Sequence, residues 1–242
     1  MTTLSATQIN RFLDACRTLL PDPAEWPKLN SYPDSLAESV IDAIWSEQVR
    51  YSNVIEIVGR YRDYRRAQGA DADHDGAREL AATFSIGLDA WIDQIGNRQR
   101  VFSRDNAPYK AQVVQQAADA AVASGVQSVA DLQTACAGDT DQYQDFHRRW
   151  LALPAQSSGM SWERLGLAAG IETVPRNLWL VEFATHATGA PVSGADAVSL
   201  VDAAANTMSV TPLRLRNAIW LYQTKADRAA RSGSAGPESG AA

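Results

Sequence analysis

The stretch from Leu151 to Gly189, L-A-L-P-A-Q-S-S-G-M-S-W-E-R-L-G-L-A-A-G-I-E-T-V-P-R-N-L-W-L-V-E-F-A-T-H-A-T-G, constrains this chain more than any other. It reads as a helix end, a tight polar turn, an apolar helix, a Gly break and a second apolar helix. Leu165, Leu167 and Ala168 share one helical stripe, and Leu178, Val181 and Phe183 share part of another. Pro154 to Gly159 supplies small residues and a Gly for the turn. The first amides of the helix that follows have no intrahelical acceptor, and such amides attract phosphate.

The rest of the chain repeats the helical period. Thr2 to Leu20 carries Ile9, Phe12, Leu13, Cys16, Leu19 and Leu20 on one face. Pro21, Pro23, Pro27 and Pro33 punctuate a connector, and Asp34 is placed to cap a helix with Leu36, Val40, Ile41, Ile44 and Trp45 inward. Further helices are expected over 52–66, from Ala77 to a stop at Gly96, over 109–124, after a Ser128 cap, and over 141–153. Ser193 and Thr211-Pro212 start the last two. No stretch alternates as a strand would, so the expected fold is all-α. It is expected as a single domain over 1–231, with a disordered Gly/Ser/Ala tail over 232–242.

Composition narrows the function. The 242 residues carry 22 Lys+Arg against 28 Asp+Glu, a net charge of −6, which disfavours non-specific coating of nucleic acid. A local basic groove remains compatible with that balance. Cys16 and Cys136 are too few for a disulfide framework, an iron–sulfur cluster or a four-cysteine zinc site. There is no signal peptide and no long apolar run, so a cytoplasmic, membrane-free monomer is expected, without cofactor or metal. D-A-D-H-D-G at 71–76 begins like a calcium loop, but Ala82 stands where the bidentate Glu belongs.

The turn L-P-A-Q-S-S-G-M-S-W resembles the helix-hairpin-helix core of the endonuclease III-like DNA glycosylase superfamily. It resembles especially a subgroup with a turn of the L-P-G-Q-G-S-G-I-S-W kind, which it matches at Leu153, Pro154, Gln156, Ser158, Gly159, Ser161 and Trp162. It departs at two glycines, now Ala155 and Ser157; a positive φ at either costs about 1 kcal/mol. Weaker similarity runs over roughly 34–225. S-L-A-E-S-V-I-D-A-I-W-S-E-Q looks like the family's first core helix, and I-G followed by Y-K-A-Q-V-V places Gly96, Lys110 and Ala111 on a second family segment.

The resemblance implies a helix-hairpin-helix fold, with the hairpin at about 151–189 and two helical lobes around a DNA groove. It implies base flipping and excision of a damaged or modified base, for instance a hypermodified phage pyrimidine in antiviral defence. The family's carboxylate, which stabilises the cationic sugar, falls at Asn177. The hairpin Lys of bifunctional relatives falls beside Met160, so the implied activity is monofunctional. Asp42, Glu47 and Glu182 are the other candidate carboxylates; for Asn177, a plain helix cap is the competing reading. DNA contacts are expected from Gln156, Ser157, Ser158, Gly159 and Ser161 in the hairpin, and from Gln48, Tyr51, Arg104 and Lys110 elsewhere.

Other residues weigh less. Arg98, Arg100 and Arg104 flank Phe102, a pattern for phosphates and a wedge or simply a solvated loop. Arg60, Arg62, Arg65 and Arg66 suit a helix C-terminus. His147 is a candidate acid or phosphate donor, and Trp26 and Trp162 are candidate pocket aromatics. The alternative function is a catalytically inactive DNA-binding protein on the same scaffold; a helical adaptor is a third.

Overall fold

The computed structural model describes residues 4–47, 49–138, 140–171 and 178–234, with side chains through 225. Among the described residues there is no strand, and the fold is all-α. The α-helices are α1 (Ala6–Leu19), α2 (Leu36–Trp45), α3 (Tyr51–Ala67), α4 (Ala77–Thr83), α5 (Leu88–Gln94), α6 (Lys110–Ala123), α7 (Val129–Gly138), α8 (Asp141–Leu151), α9 (Met160–Ala168), α10 (Leu178–Thr188), α11 (Gly194–Thr207) and α12 (Pro212–Ser234). They form two compact units, one from residues 29–177 and one from 1–28 together with 178–242.

In the middle unit, α2 is the axis. All ten of its residues are buried, and α3, α4, α6 and α9 pack on it. Seven of its ten residues are apolar, and its three polar ones, Glu38, Ser39 and Asp42, are buried as well, so the helix is covered on every side. Trp45, Ile41, Ile44, Trp91, Val114 and Leu165 meet in one continuous core. The end unit packs α1, α10, α11 and α12 around Phe12, Cys16, Phe183, Leu200 and Leu215, with Phe12 edge-to-face on Phe183 at 5.7 Å. Burial pushes the Cys16 thiol up to about 12, so this cysteine acts as a core hydrophobe.

Local chemistry explains most helix ends. Ser193 caps α11 and Thr140 caps α8 through their side chains, and Ser128 Oγ accepts from the Asp131 amide ahead of α7. Three expectations are corrected. Ser35, and not Asp34, caps α2; its hydroxyl also donates to Ala72 O at 2.8 Å, a tertiary bond that an exposed Asp34 lacks. The expected helix over 77–95 breaks into α4, a 3-10 turn at Phe84–Ile86, and α5. The break lets Trp91 stack on Phe84 at 4.5 Å and donate Nε1 to Thr83 Oγ1 at 2.9 Å. Helix α12 continues to Ser234, past the expected boundary at 232; the remaining tail lies outside the described residues.

Candidate functional site

The turn between α8 and α9 has the geometry that its sequence asks about. Ala155 sits at φ 68° and Gly159 at φ 74°, both left-handed, whereas Ser157 does not take a positive φ. Of the two missing glycines, then, only the one at 155 stood at a position needing glycine. Gln156 N donates to Leu153 O (3.0 Å) and Gly159 N to Gln156 O (3.1 Å), which closes the turn twice. Replacing Ala155 with glycine is expected to raise stability by about 1 kcal/mol. Chemical denaturation measures it, and unchanged or lower stability would show that Ala155 bears no strain.

The turn's polar side chains divide. Gln156 and Ser161 are buried. Trp150 Nε1 donates to Ser161 Oγ (3.0 Å), Ser161 Oγ donates to Gln156 Oε1, and Gln156 Nε2 donates to Pro154 O (3.0 Å). These two side chains therefore hold the hairpin together from inside. Ser157 and Ser158 are exposed, and Ser158 Oγ accepts from the Met160 amide at 3.3 Å. The amides of Ser161 and Trp162 follow directly, with no helical carbonyl four residues before them. Trp162 is core: it packs against Phe146 (5.2 Å) and Trp150 (5.7 Å) and donates to Tyr143 Oη (3.2 Å). His147 lies against it at 5.0 Å, and Trp26 is buried in the end unit.

Asp42 is fully buried, and Arg164 of α9 meets it twice, Nε to Oδ1 at 2.5 Å and Nη2 to Oδ2 at 2.9 Å. Tyr51 Oη (2.6 Å), Tyr32 Oη (3.3 Å) and Ser46 Oγ (3.0 Å) also donate to it. Burial first, and the Asp42 charge second, push both phenols above their ordinary value, so each keeps its proton for that carboxylate. This cluster fixes the hairpin helix to α2. Tyr51 belongs to it, with Arg164 over its ring at 5.0 Å.

Glu47 and Lys110 lie elsewhere in the same unit, on a cleft of about 420 Å³ lined also by Gln99, Arg100, Phe102, Ser103, Arg104 and Asp105. Lys110 is buried and donates Nζ to Trp45 O (3.1 Å) and Glu47 O (2.5 Å) at the end of α2. Its cation satisfies carbonyls that a helix end leaves over. Arg104 is exposed at the mouth. Glu182 is exposed on α10 in the end unit. Gln48 and Asn177 lie outside the described residues.

Several other arginines are paired with carboxylates. Arg62 grips Glu38 with two bonds of 2.6 Å, Arg65 grips Asp75 at 2.6 and 3.0 Å, and Arg66 meets Asp63 at 2.6 Å. Asp71 accepts from the Asp73 amide (3.1 Å) and meets His74 at 2.8 Å, so the acidic loop folds on itself. Among the described residues no cluster of His, Cys, Asp or Glu is arranged to hold a metal, and no helix is long and apolar enough to cross a membrane. Sequence reasoning missed Arg164 and Gln99. The signal for Arg164 was present: a charge inside the apolar run M-S-W-E-R-L-G-L-A has to find a partner within the fold.

No curated protein and no solved structure matches the chain. A family model described as a domain of unknown function, DUF8548, matches residues 10–224 and so runs through both units. The chain belongs to the DUF8548 family.

Proposed function

We propose that this protein is a DNA-binding helix-hairpin-helix protein acting as a monofunctional DNA glycosylase, which hydrolyses the N-glycosyl bond of a damaged or modified base and leaves an abasic site. The observation that carries the reading is the turn between α8 and α9. Ala155 stays in the left-handed region although alanine there costs about 1 kcal/mol. Ala155 is half-buried against the core, and strain retained at such a turn is a reason to look for function there. Gly159, left-handed as well, leads directly into the start of α9, and a helix start is where phosphate binds. In this reading Ser157, Ser158 and Gly159 take the phosphate, while the buried Gln156 and Ser161 shape the loop.

The chemistry needs a carboxylate near a sugar that becomes cationic as the base leaves. Asp42 is engaged by Arg164 and three hydroxyls, so Glu47, on the cleft, is the carboxylate given that task, with Asn177 positioning water. Lys110 is held by two carbonyls and the hairpin carries Met160, which fits hydrolysis without a Schiff base. A bulky modified pyrimidine of the phage type is the substrate class proposed, with a role in defence.

The test is incubation of the purified protein with duplexes containing uracil, alkylated, oxidised, and hydroxymethylated or glucosylated cytosine, followed by alkali. Strand cleavage at one base, lost in both Asn177→Ala and Glu47→Gln, is expected. Binding without cleavage of any substrate would leave the non-enzymatic alternative, which the substitution of Asn177 for an Asp favours. No binding at any salt concentration would overturn both.

A further inference from the structure

The loop between α5 and α6 is ordered beyond what a solvated connector needs. Residues 97–109 fold back as a hairpin, with an antiparallel bridge between Arg100 and Tyr109. Lys110 N donates to Gln99 O (2.8 Å), Val101 N to Pro108 O (3.0 Å) and Ala107 N to Arg104 O (3.0 Å). Arg100 staples the two arms from within. Its Nη1 donates to Ala107 O, its Nη2 donates to Tyr109 Oη at 3.1 Å, and its guanidinium lies 4.2 Å from the centre of the Tyr109 ring. Arg98 pairs with Asp93 (3.1 Å), away from the tip.

What the staple holds out is specific. Phe102 is 47% exposed, although a single exposed aromatic is by itself ordinary. Here it stands on a braced tip, two residues from Arg104, whose side chain has no partner among the described residues. Both border the cleft of about 420 Å³, a size within the range of roughly 300–1,000 Å³ that small ligands occupy. An aromatic face beside an unpaired cation, over an open cleft, matches a base with its adjoining phosphate. Phe102 has no polar atom, so it recognises any flat base through its face and reads no sequence. Asp105 on the same rim repels phosphate, which confines the anion to the Arg104 side.

We propose that the 97–109 hairpin is a preformed receptor for an unpaired nucleotide: Phe102 stacks on the base, Arg104 takes the phosphate, and Arg100 is the positioning residue that holds both. This rests on the DNA-binding reading above and adds to it a preference for unpaired over paired nucleotides, set by residues outside the α8–α9 turn. Because the tip is braced before binding, little ordering opposes the contact.

The experiment uses the full chain and two duplexes, one fully paired and one with a single bulged 2-aminopurine, followed by fluorescence and by affinity at several salt concentrations. The wild type is expected to bind the bulged duplex more tightly and to quench the probe. Phe102→Ala should lose roughly 5- to 100-fold in affinity for the bulged duplex, with the paired duplex unchanged, and Phe102→Trp should retain both affinity and quenching. Arg104→Ala should lower the salt slope by about one ion. Arg100→Lys, which cannot fork to Ala107 and Tyr109, should weaken quenching while thermal melting stays the same. Equal binding of the bulged duplex by wild type and Phe102→Ala, with DNA binding retained, overturns this proposal and leaves the DNA-binding reading standing. Absence of binding to either duplex overturns both.

Discussion

Replacing Arg164 with methionine is expected to lower the stability of the 29–177 unit by about 3–5 kcal/mol, the range for removing one partner of a buried ion pair. Asp42 has no exposed surface, and Arg164 supplies two of its five hydrogen bonds and its only counter-charge among the contacts described. Without the guanidinium, three hydroxyls must hold a full charge away from water. Typical domains are stable by about 5–15 kcal/mol, so such a loss removes a large share of the total. Urea denaturation followed by tryptophan fluorescence reads it directly, since Trp45, Trp91, Trp150 and Trp162 all lie in this core. The double variant Asp42→Asn/Arg164→Met should recover part of the loss, because an amide oxygen at the Oδ2 position still accepts from Tyr51 and Tyr32, the amide nitrogen at the other position can donate to Ser46 Oγ, and the charge is gone. A loss below about 1 kcal/mol for Arg164→Met would mean that the pair is hydrated in solution.

Much of this architecture was legible because it is written locally. A cap acts within three residues and apolar periodicity within a turn or two, so Ser128, Ser193, Thr211-Pro212 and the face of α1 could be read in order. The turn between α8 and α9 was legible for the same reason, but not which of Ala155 and Ser157 would take a positive φ. Features set by distant partners were not. Asp42 and Arg164 are 122 residues apart, and nothing near either names the other. Lys110, expected to meet DNA, instead caps the end of α2 from 65 residues away. Ser35 caps α2 by a local bond from the Glu38 amide, and what could not be read from the sequence is that its hydroxyl also reaches Ala72 O. The break at Gly87 depends on Trp91 finding Phe84 and Thr83, which helical periodicity cannot express.

Gly76→Ala is expected to be the other costly substitution, by about 2–4 kcal/mol, and for a reason unrelated to backbone freedom. At φ −99° and ψ −165° its conformation is open to any residue. A Cβ there, however, would lie 2.2 Å from the carbonyl oxygen of Gln127, the atom that accepts the Ala77 amide at 2.9 Å. It would also lie 3.1 Å from Glu79 Oε2, which accepts from the Gly76 amide at 3.0 Å. The obstruction is backbone, so no rotamer change relieves it, and the start of α4 must move off the segment before α7. Overpacking costs about 1–3 kcal/mol and the lost hydrogen bond about 0.5–1.5 more. Gly159→Ala makes the contrast: φ is 74°, but the nearest atom to its Cβ is Leu151 Cδ2 at 3.9 Å, so only the left-handed penalty of about 1 kcal/mol applies. Denaturation of the two variants side by side should rank Gly76→Ala clearly below Gly159→Ala, with faster hydrogen exchange at Ala77 in the former. The reverse order would mean that the close approach of Gly76 to Gln127 relaxes easily, and that the turn before α9 is the stiffer of the two.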